Sequence, residues 1–476
     1  MAVYIIGLDG ASLEMIREAA ANPSLQNLSK LVNYGSSTAL ESVLPYVTGP
    51  AWTSLFSGVN PGRHGIFDLY FEKDGNKIIP TLPTGVPYLW DYLSWAGKRV
   101  LVMGAPFAYP APRVNGIFVS GRFVPELSFY PRDLNSKYDL SGFNYNIPGR
   151  KVKFSYNDSS ERSRYAQNVL EDFERRIETS IEISKAESWD AVAVVDSLPD
   201  QLLHIVYNRK PVLNKMFILI DRWLGEFMQL MKKEDTLAIV SDHGFQDIFR
   251  AFYAREWLRQ RGYVKEDSFF KQRIMKTIAY RRSKFFIDKI RDWLGLSRER
   301  PGNTVAKTKV KSRRSAVDVM GTTGDHLWIK FNTVDGKNLI KLHNDLFNHL
   351  KELKESNYIK EIYSVNELYK GDYVRNFDAD ILIEAGDGVS LNRKKITYGS
   401  IEHTHPKKIG GHKREGLILL YSEYLKFSLS NKQSIYDVLP TILHLMRIPA
   451  PDGLEGKRID FQSRDTDDKV PRDTVQ

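Results

Sequence analysis

Short β-rich apolar runs that stop abruptly at Gly, Asp or Ser recur along this 476-residue chain, and they constrain its fold more than any other feature. They are VYIIGLDG (Val3–Gly10), RVLVMGAP (Arg99–Pro106), DAVAVVDS (Asp190–Ser197), TLAIVSDHG (Thr236–Gly244), ADILIEAG (Ala379–Gly386) and EGLILLYS (Glu415–Ser422). A strand that is apolar without alternation has no face for water, so it belongs in a sheet covered on both sides. Helical patterns lie between the runs, over residues 12–21, 88–96, 160–184, 212–231, 338–353 and 434–446. Strands alternating with helices predict an α/β fold, a doubly wound and mostly parallel sheet flanked by helices. In such sheets ligands gather beyond the carboxyl ends of the strands.

Two stretches break the rhythm. Residues 68–150 are rich in Tyr, Phe, Pro and Gly and read as an irregular crossover and cap. Residues 266–315 carry a strong excess of Lys and Arg, with Ile274, Ile278, Phe286, Ile290 and Trp293 at helical spacing. The expected organisation is a discontinuous core, 1–265 and 316–460, a basic amphipathic insertion at 266–315, and a polar, disordered tail at 461–476. A basic amphipathic helix suits an anionic membrane surface, which makes 271–314 the expected contact. No recognised nucleic-acid-binding fold accompanies it, so nucleic acid is disfavoured as a partner. The formal net charge of +10 favours anionic partners in general. The start, MAVYIIGLDG, lacks the basic flank of a signal peptide, and no apolar run approaches the ~18 residues of a membrane span. The expected location is therefore cytoplasmic, with peripheral contact at the membrane. None of these patterns speaks to oligomeric state.

Chemistry-bearing residues cluster where the strands end. Asp9 closes the first run, and Asp242 and His243 close the fourth. Asp200 and His204, in LPDQLLH, follow the third at a spacing that puts both on one helical face. His412 precedes EGLILLYS, and is preferred to the nearby His403 and His405 for that reason. Each residue alone reads as a turn, a cap or a core histidine. Together, three Asp and three His at strand ends suit two divalent ions. The chain has no cysteine, so thiolate sites and cysteine nucleophiles are excluded. Four hydroxyls, Thr48, Thr53, Ser54 and Ser57, crowd into YVTGPAWTSLFSGVNPGRHG (Tyr46–Gly65), and a hydroxyl needs a base or a metal to attack at neutral pH.

These residues resemble the alkaline phosphatase superfamily, and within it the type I phosphodiesterase and nucleotide pyrophosphatase group with its prokaryotic phosphohydrolase/phosphomutase relatives. IIGLDG, VTGPAWTSLFSGVNPGRHGIFD, PDQLLH, SDHGF, GGHKREGLILL and SIYDVLPTILHLMRIPAPDGLEG match the family's motifs in order. The resemblance implies an alkaline phosphatase-like core with cap insertions and two metal ions, zinc in most members, with Mn²⁺ as the alternative. One ion is expected on Asp200, His204 and His412. The other is expected on Asp9, Asp242, His243 and the hydroxyl of Thr48, which would also be the nucleophile. Gly49 and Ala51 are expected to donate backbone N–H groups to the phosphate, with Trp52 beside the substrate. Nucleotide pyrophosphatases typically carry Asn and His at these last two positions, so Ala51 and Trp52 point away from nucleotide-like recognition.

The implied activity is hydrolysis of a phosphate mono- or diester through a phospho-threonine. Two alternatives are weighed against it. One is phosphoryl transfer to a second hydroxyl, as in a mutase. The other is a non-catalytic, metal-stabilised protein that binds anionic lipids through its insertion. Hydride transfer and P-loop chemistry lack their glycine-rich signatures, and a sulfatase would need a Cys or Ser where Thr48 stands.

Overall fold

The computed structural model describes residues 1–73, 76–82, 85–145, 159–207, 210–265, 315–332, 336–393, 397, 399–404 and 410–464. The basic segment 271–314 and its expected membrane contact lie outside these residues.

The expected sheet is present and, among the described residues, has nine strands. Their order is Lys432–Ser434, Ser36–Glu41, Glu415–Tyr421, Thr236–Val240, Val3–Leu8, Ala191–Asp196, Val100–Ala105, Gly116–Ser120 and Phe129–Tyr130. Only Glu415–Tyr421 and Phe129–Tyr130 run against the rest. Val3–Leu8 sits at the centre between Ala191–Asp196 and Thr236–Val240, where the order of strands reverses. It is buried throughout, and its period of two splits it between two cores. Tyr4, Ile6 and Leu8 face a layer that includes helices Leu13–Ala20, Ser159–Ala186 and Lys210–Leu230. Val3 and Ile5 face a second layer, with helices Thr48–Ser57, Leu89–Trp95 and Val438–Leu445.

The chain departs from expectation in three places. Residues 68–150 are not merely an irregular crossover: they supply a helix and three strands at one side of the sheet. Residues 461–463 are not tail, because Asp460–Ser463 pairs with Leu425–Ser428 and Phe461 meets Phe427. ADILIEAG is not in the main sheet. It belongs to a separate antiparallel sheet ordered Val317–Met320, His326–Phe331, Ile381–Ala385, Ile359–Ser364. Its strand Ile381–Ala385 is buried at every position because this sheet is also covered on both faces. Leu346, Leu350 and Leu353 of helix Gly336–Glu355 pack on Ile329, Ile381 and Ile383. On the other face, Trp328 and Leu382 meet Leu44, Tyr46 and Phe67 of the main body. This lobe therefore rests on the segments that flank Thr48.

Candidate active site

The parallel strands deliver Asp9, Asp200, Asp242 and His243 to one edge of the large sheet, each just past a carboxyl end. Glu415–Tyr421 runs the other way, so its beginning lies at that same edge and carries His412 there. The antiparallel strand explains why one ligand precedes its strand while the others follow theirs.

Asp200 and His204 lie one turn apart on helix Leu198–Val206, with His204 Nε2 3.1 Å from Asp200 Oδ1. That helix is anchored at its start. Asp196 accepts from the Leu198 N–H at 2.8 Å and forms a buried two-pronged pair with Arg176, at 2.5 and 3.0 Å. The Asp200 N–H also donates to the Asp9 carbonyl at 2.9 Å, which ties two candidate ligands through the backbone.

The three histidines share one arrangement. His204 Nδ1 faces the Gly410 carbonyl at 3.2 Å and His243 Nδ1 faces the Gly244 carbonyl at 3.1 Å. His412 Nδ1 faces Asp325 Oδ2 at 3.3 Å, without full hydrogen-bond alignment. A carbonyl or carboxylate can only accept, so each places the ring proton on Nδ1 and leaves an Nε2 lone pair. All three Nε2 atoms point inward. Those of His204 and His412 stand 3.1 Å apart, and both lie within 3.2 Å of Asp200 Oδ1. His243 Nε2 is 3.5 Å from Asp9 Oδ1 and 3.4 Å from Asp242 Oδ2. Lone pairs facing lone pairs and carboxylates are repulsive unless a cation lies among them.

The titration of these groups expresses the same conflict. Burial, together with the charges of Asp242 and Asp200, raises Asp9 well above the ordinary carboxylate range. Burial and Asp200 do the same to Asp242. Burial also acts upward on Asp200, but His204 and His412 outweigh it and hold Asp200 well below its ordinary value. Burial and the neighbouring His412 depress His243. Both carboxylate oxygens of Asp9, Asp242 Oδ2 and His243 Nε2 are buried without a hydrogen-bond partner. Buried polar atoms are normally satisfied. Here the orphans are all metal-ligating atoms gathered around His243 Nε2, so these residues fit one divalent cation, and the converging Asp200, His204 and His412 fit a second. Asp200, His204 and His412 form one set with ligand atoms within 4.8 Å of one another, and Asp9, Asp200 and His243 form another. Asp200 thus stands between the sets, and Asp242 joins the second through His243.

The hydroxyl cluster sorts itself. Thr53 donates to the Gly49 carbonyl at 2.7 Å and Ser57 to the Thr53 carbonyl at 2.6 Å. Ser54 is bonded to His64 Nε2 at 2.9 Å, and His64 Nδ1 accepts from the Ile66 N–H at 3.1 Å. His64 is therefore a structural, neutral imidazole, and burial lowers its pKa to about 3. Thr48 alone has no side-chain partner among the described residues, and it stands at the first position of helix Thr48–Ser57.

Two expectations at this helix are corrected. The Ala51 N–H donates to the Val47 carbonyl at 3.0 Å as the first ordinary helical bond, so it is not available to a phosphate. Only Thr48 and Gly49 precede Pro50 with N–H groups that no helical carbonyl can reach. Trp52 is 1% exposed and lies inside the second core layer, stacked with Phe56. Its ring closes on the central strand so tightly that a Cβ at Gly7 would stand 2.6 Å from it. Trp52 is a core residue, not a wall of the substrate site.

Two charged residues at this site were not anticipated. Asp325, in GTTGDHLWIKF, orients His412 from the lobe: its Oδ1 accepts the His412 N–H at 3.1 Å as well. Arg122, just beyond Gly116–Ser120, brings a guanidinium N–H 3.4 Å from Asp200 Oδ2. Neither has a spacing relation to the ligands, and Arg122 follows a strand, Gly116–Ser120, that is not among the apolar runs of the sequence. His403 is exposed on a short strand opposite Ala251, as its exclusion from the ligands requires.

The comparisons define an enzyme of the alkaline phosphatase superfamily. The model of the type I phosphodiesterase/nucleotide pyrophosphatase family matches residues 3–406, and the chain belongs to that family. His412 lies beyond the matched span and is delivered by the fold. A search of curated proteins finds no match. Among solved structures, the chain is similar to phosphonoacetate hydrolase from Sinorhizobium meliloti 1021 in complex with phosphonoformate, at 13% identity and a TM-score of 0.54, over 94% of this chain and 96% of that one. It is also similar to murine ectonucleotide pyrophosphatase/phosphodiesterase 5, at 11% identity and a TM-score of 0.50, over 96% and 98%. An inactive form of the murine protein in complex with AMP matches at 12% identity and a TM-score of 0.51, over 96% and 97%. These likenesses are likenesses of fold. No helix among the described residues is long and apolar enough to cross a membrane.

Proposed function

We propose that this protein is a two-metal-dependent phosphoric ester hydrolase that works through a covalent phospho-threonine at Thr48. The observation that carries the reading is the common orientation of His204, His243 and His412. Each has Nδ1 against an acceptor and Nε2 turned toward buried carboxylates. Asp200, His204 and His412 would hold one ion, and Asp9, Asp242, His243 and Thr48 the other. Zn²⁺ suits this imidazole and carboxylate set, with Mn²⁺ next. When bound, such ions supply Lewis-acid polarisation and neutralise charge that develops on phosphoryl oxygens.

The remaining work falls to the chain. Thr48 is the only hydroxyl of its cluster not committed to a helical carbonyl or to His64. Its oxygen forms a bond to phosphorus as the P–O ester bond breaks, its hydroxyl proton passing through solvent to the departing ester oxygen, and water then cleaves the phospho-threonine, releasing the phosphoryl product and restoring the hydroxyl. The N–H groups of Thr48 and Gly49, at the start of a helix, face the anion. Transfer to a second hydroxyl in place of water would make the same site a mutase. The test is hydrolysis of p-nitrophenyl phosphate and bis-p-nitrophenyl phosphate by protein loaded with Zn²⁺ or Mn²⁺. Activity with wild type and none with folded Thr48→Ala is expected; activity that survives Thr48→Ala defeats the nucleophile assignment.

The segment 271–314 supports a separate reading by its pattern alone, peripheral attachment of a cytoplasmic enzyme to an anionic bilayer. Equal co-sedimentation with phosphatidylserine vesicles, with and without residues 268–315, would remove it.

A further inference from the structure

Thr48 follows a loop that has few backbone bonds of its own. The loop leaves strand Ser36–Glu41 at Ser42, whose N–H donates to the Arg414 carbonyl at 3.0 Å. Pro45 has no N–H, and the Val47 N–H turns back on the Pro45 carbonyl at 2.9 Å. The Val47 carbonyl then opens the helix by accepting from Ala51. Among the described residues, no hydrogen bond ties Leu44–Val47 to the large sheet.

The anchors come from the lobe instead. Leu44 is buried, and its carbonyl accepts the Tyr369 hydroxyl at 2.5 Å. Tyr46 is buried too, and its ring meets that of His326 edge-on, at 4.1 Å and 72°. Tyr369 stands just past the short helix Val365–Leu368, where its N–H closes on the Val365 carbonyl at 3.1 Å. Its ring packs against Phe67, with centroids 5.4 Å apart, and against Trp328 at 6.4 Å. Backbone and ring together fix the direction of the hydroxyl.

A Phe at position 369 would fill the same space beside Phe67 and Trp328. The hydroxyl adds one thing, the bond to a carbonyl 325 positions away. A carbonyl buried at Leu44 has no bulk water to turn to, so the phenol sets its orientation. Leu44 lies four residues before Thr48, and Pro45 between them narrows the paths the backbone can take. We propose that Tyr369 is a positioning residue for the nucleophile: by holding the Leu44 carbonyl it keeps the Thr48 hydroxyl aligned for attack. The lobe thereby governs the alignment of a group carried by the main body. This proposal rests on the reading of Thr48 as the nucleophile.

The experiment compares full-length, metal-loaded wild type, Tyr369→Phe and Tyr263→Phe. Tyr263→Phe is the control: it removes a lobe hydroxyl bonded to His349 at 2.7 Å, in the core on the other face of the lobe. Both nitrophenyl esters are assayed, zinc per chain is measured, orthovanadate and inorganic phosphate are titrated by calorimetry, and crystal structures are solved. A misplacement on the order of 1 Å can cost about 100-fold in rate. Tyr369→Phe should lower kcat by roughly 10- to 100-fold, with KM within about 3-fold and zinc content unchanged. Orthovanadate takes the attacking oxygen into its own coordination sphere, so its affinity should fall by a similar factor while that of phosphate holds. In the crystal, Leu44 and Thr48 should shift by about 0.5 Å or more. Tyr263→Phe should match wild type in all these respects. A Tyr369→Phe protein with wild-type kcat, or with Thr48 in its wild-type place, would overturn the proposal. So would a fall in kcat that Tyr263→Phe reproduces, or one that follows loss of zinc, which would make the hydroxyl a general prop of the fold. If wild type hydrolyses neither ester, the hydrolase reading fails, and the place of Thr48 in the two crystal structures still decides the role of Tyr369.

Discussion

The large sheet and the small antiparallel lobe are built from similar strands, continuously apolar and covered on both faces, yet they stand to the site in different ways. The edge of the large sheet carries all six Asp and His candidate ligands. The lobe contributes none of them, and touches the site through the Asp325 carboxylate behind His412. It is also tied to the Thr48 region at Asp68, which accepts from Trp328 Nε1 at 3.2 Å and from the Thr322 hydroxyl. A parallel sheet gathers strand ends from distant parts of the sequence at one edge, where they can share a cation. An antiparallel lobe laid on that edge can only steady what is already there.

Changes on the two sides should separate by size and by kind. The largest effect belongs to the sheet edge: Asp242→Ala should lower ester hydrolysis by at least about 10⁴-fold, as loss of an essential catalytic group does, with metal bound per chain falling alongside it. A loss under about 100-fold would place Asp242 with the supporting residues. Next comes the buried pair beneath the Asp200 helix. Arg176→Ala strands the Asp196 carboxylate and should cost roughly 3–5 kcal/mol in denaturant unfolding. A loss below about 1 kcal/mol would mean that Asp196 finds water, as exposed pairs do.

The lobe should give smaller effects. Burial raises the Asp68 pKa to about 6, against an ordinary 3.8. A group raised on folding stabilises the protein below its unfolded pKa, and that contribution is lost as pH rises through the folded value. Between pH 4 and 7, wild type should therefore lose up to about 3 kcal/mol relative to Asp68→Asn. Parallel pH profiles for the two proteins would show that Asp68 is solvated. Smallest is Asp325→Ala, expected to weaken metal binding or activity by about 10- to 100-fold while leaving one ion in place. An effect as large as that of Asp242→Ala would erase the contrast between sheet and lobe.

The same contrast explains what the sequence reveals. Asp9, Asp200, His204, Asp242 and His243 are legible because a strand end is a local pattern, readable in a few residues. His412 is legible by position, although the antiparallel direction that makes its position work is not. Asp325 and Arg122 escape because they reach the site through folding alone, Asp325 standing 87 positions from His412 and Arg122 78 positions from Asp200. Trp52 misleads because an aromatic beside a nucleophile looks the same whether it points out or in, and the Gly7 cavity that receives it lies 45 positions away. Ala379–Gly386 misleads because continuous burial records two covered faces and says nothing of strand direction.

The central claim is that two divalent ions sit in the two residue sets. Its most direct test is the zinc stoichiometry of purified, chelator-stripped and reconstituted protein, measured by calorimetry and elemental analysis. Wild type should bind two ions per chain, and a His204→Ala/His412→Ala double variant should bind one. Wild type binding one ion or none, or the double variant still binding two, would contradict the account.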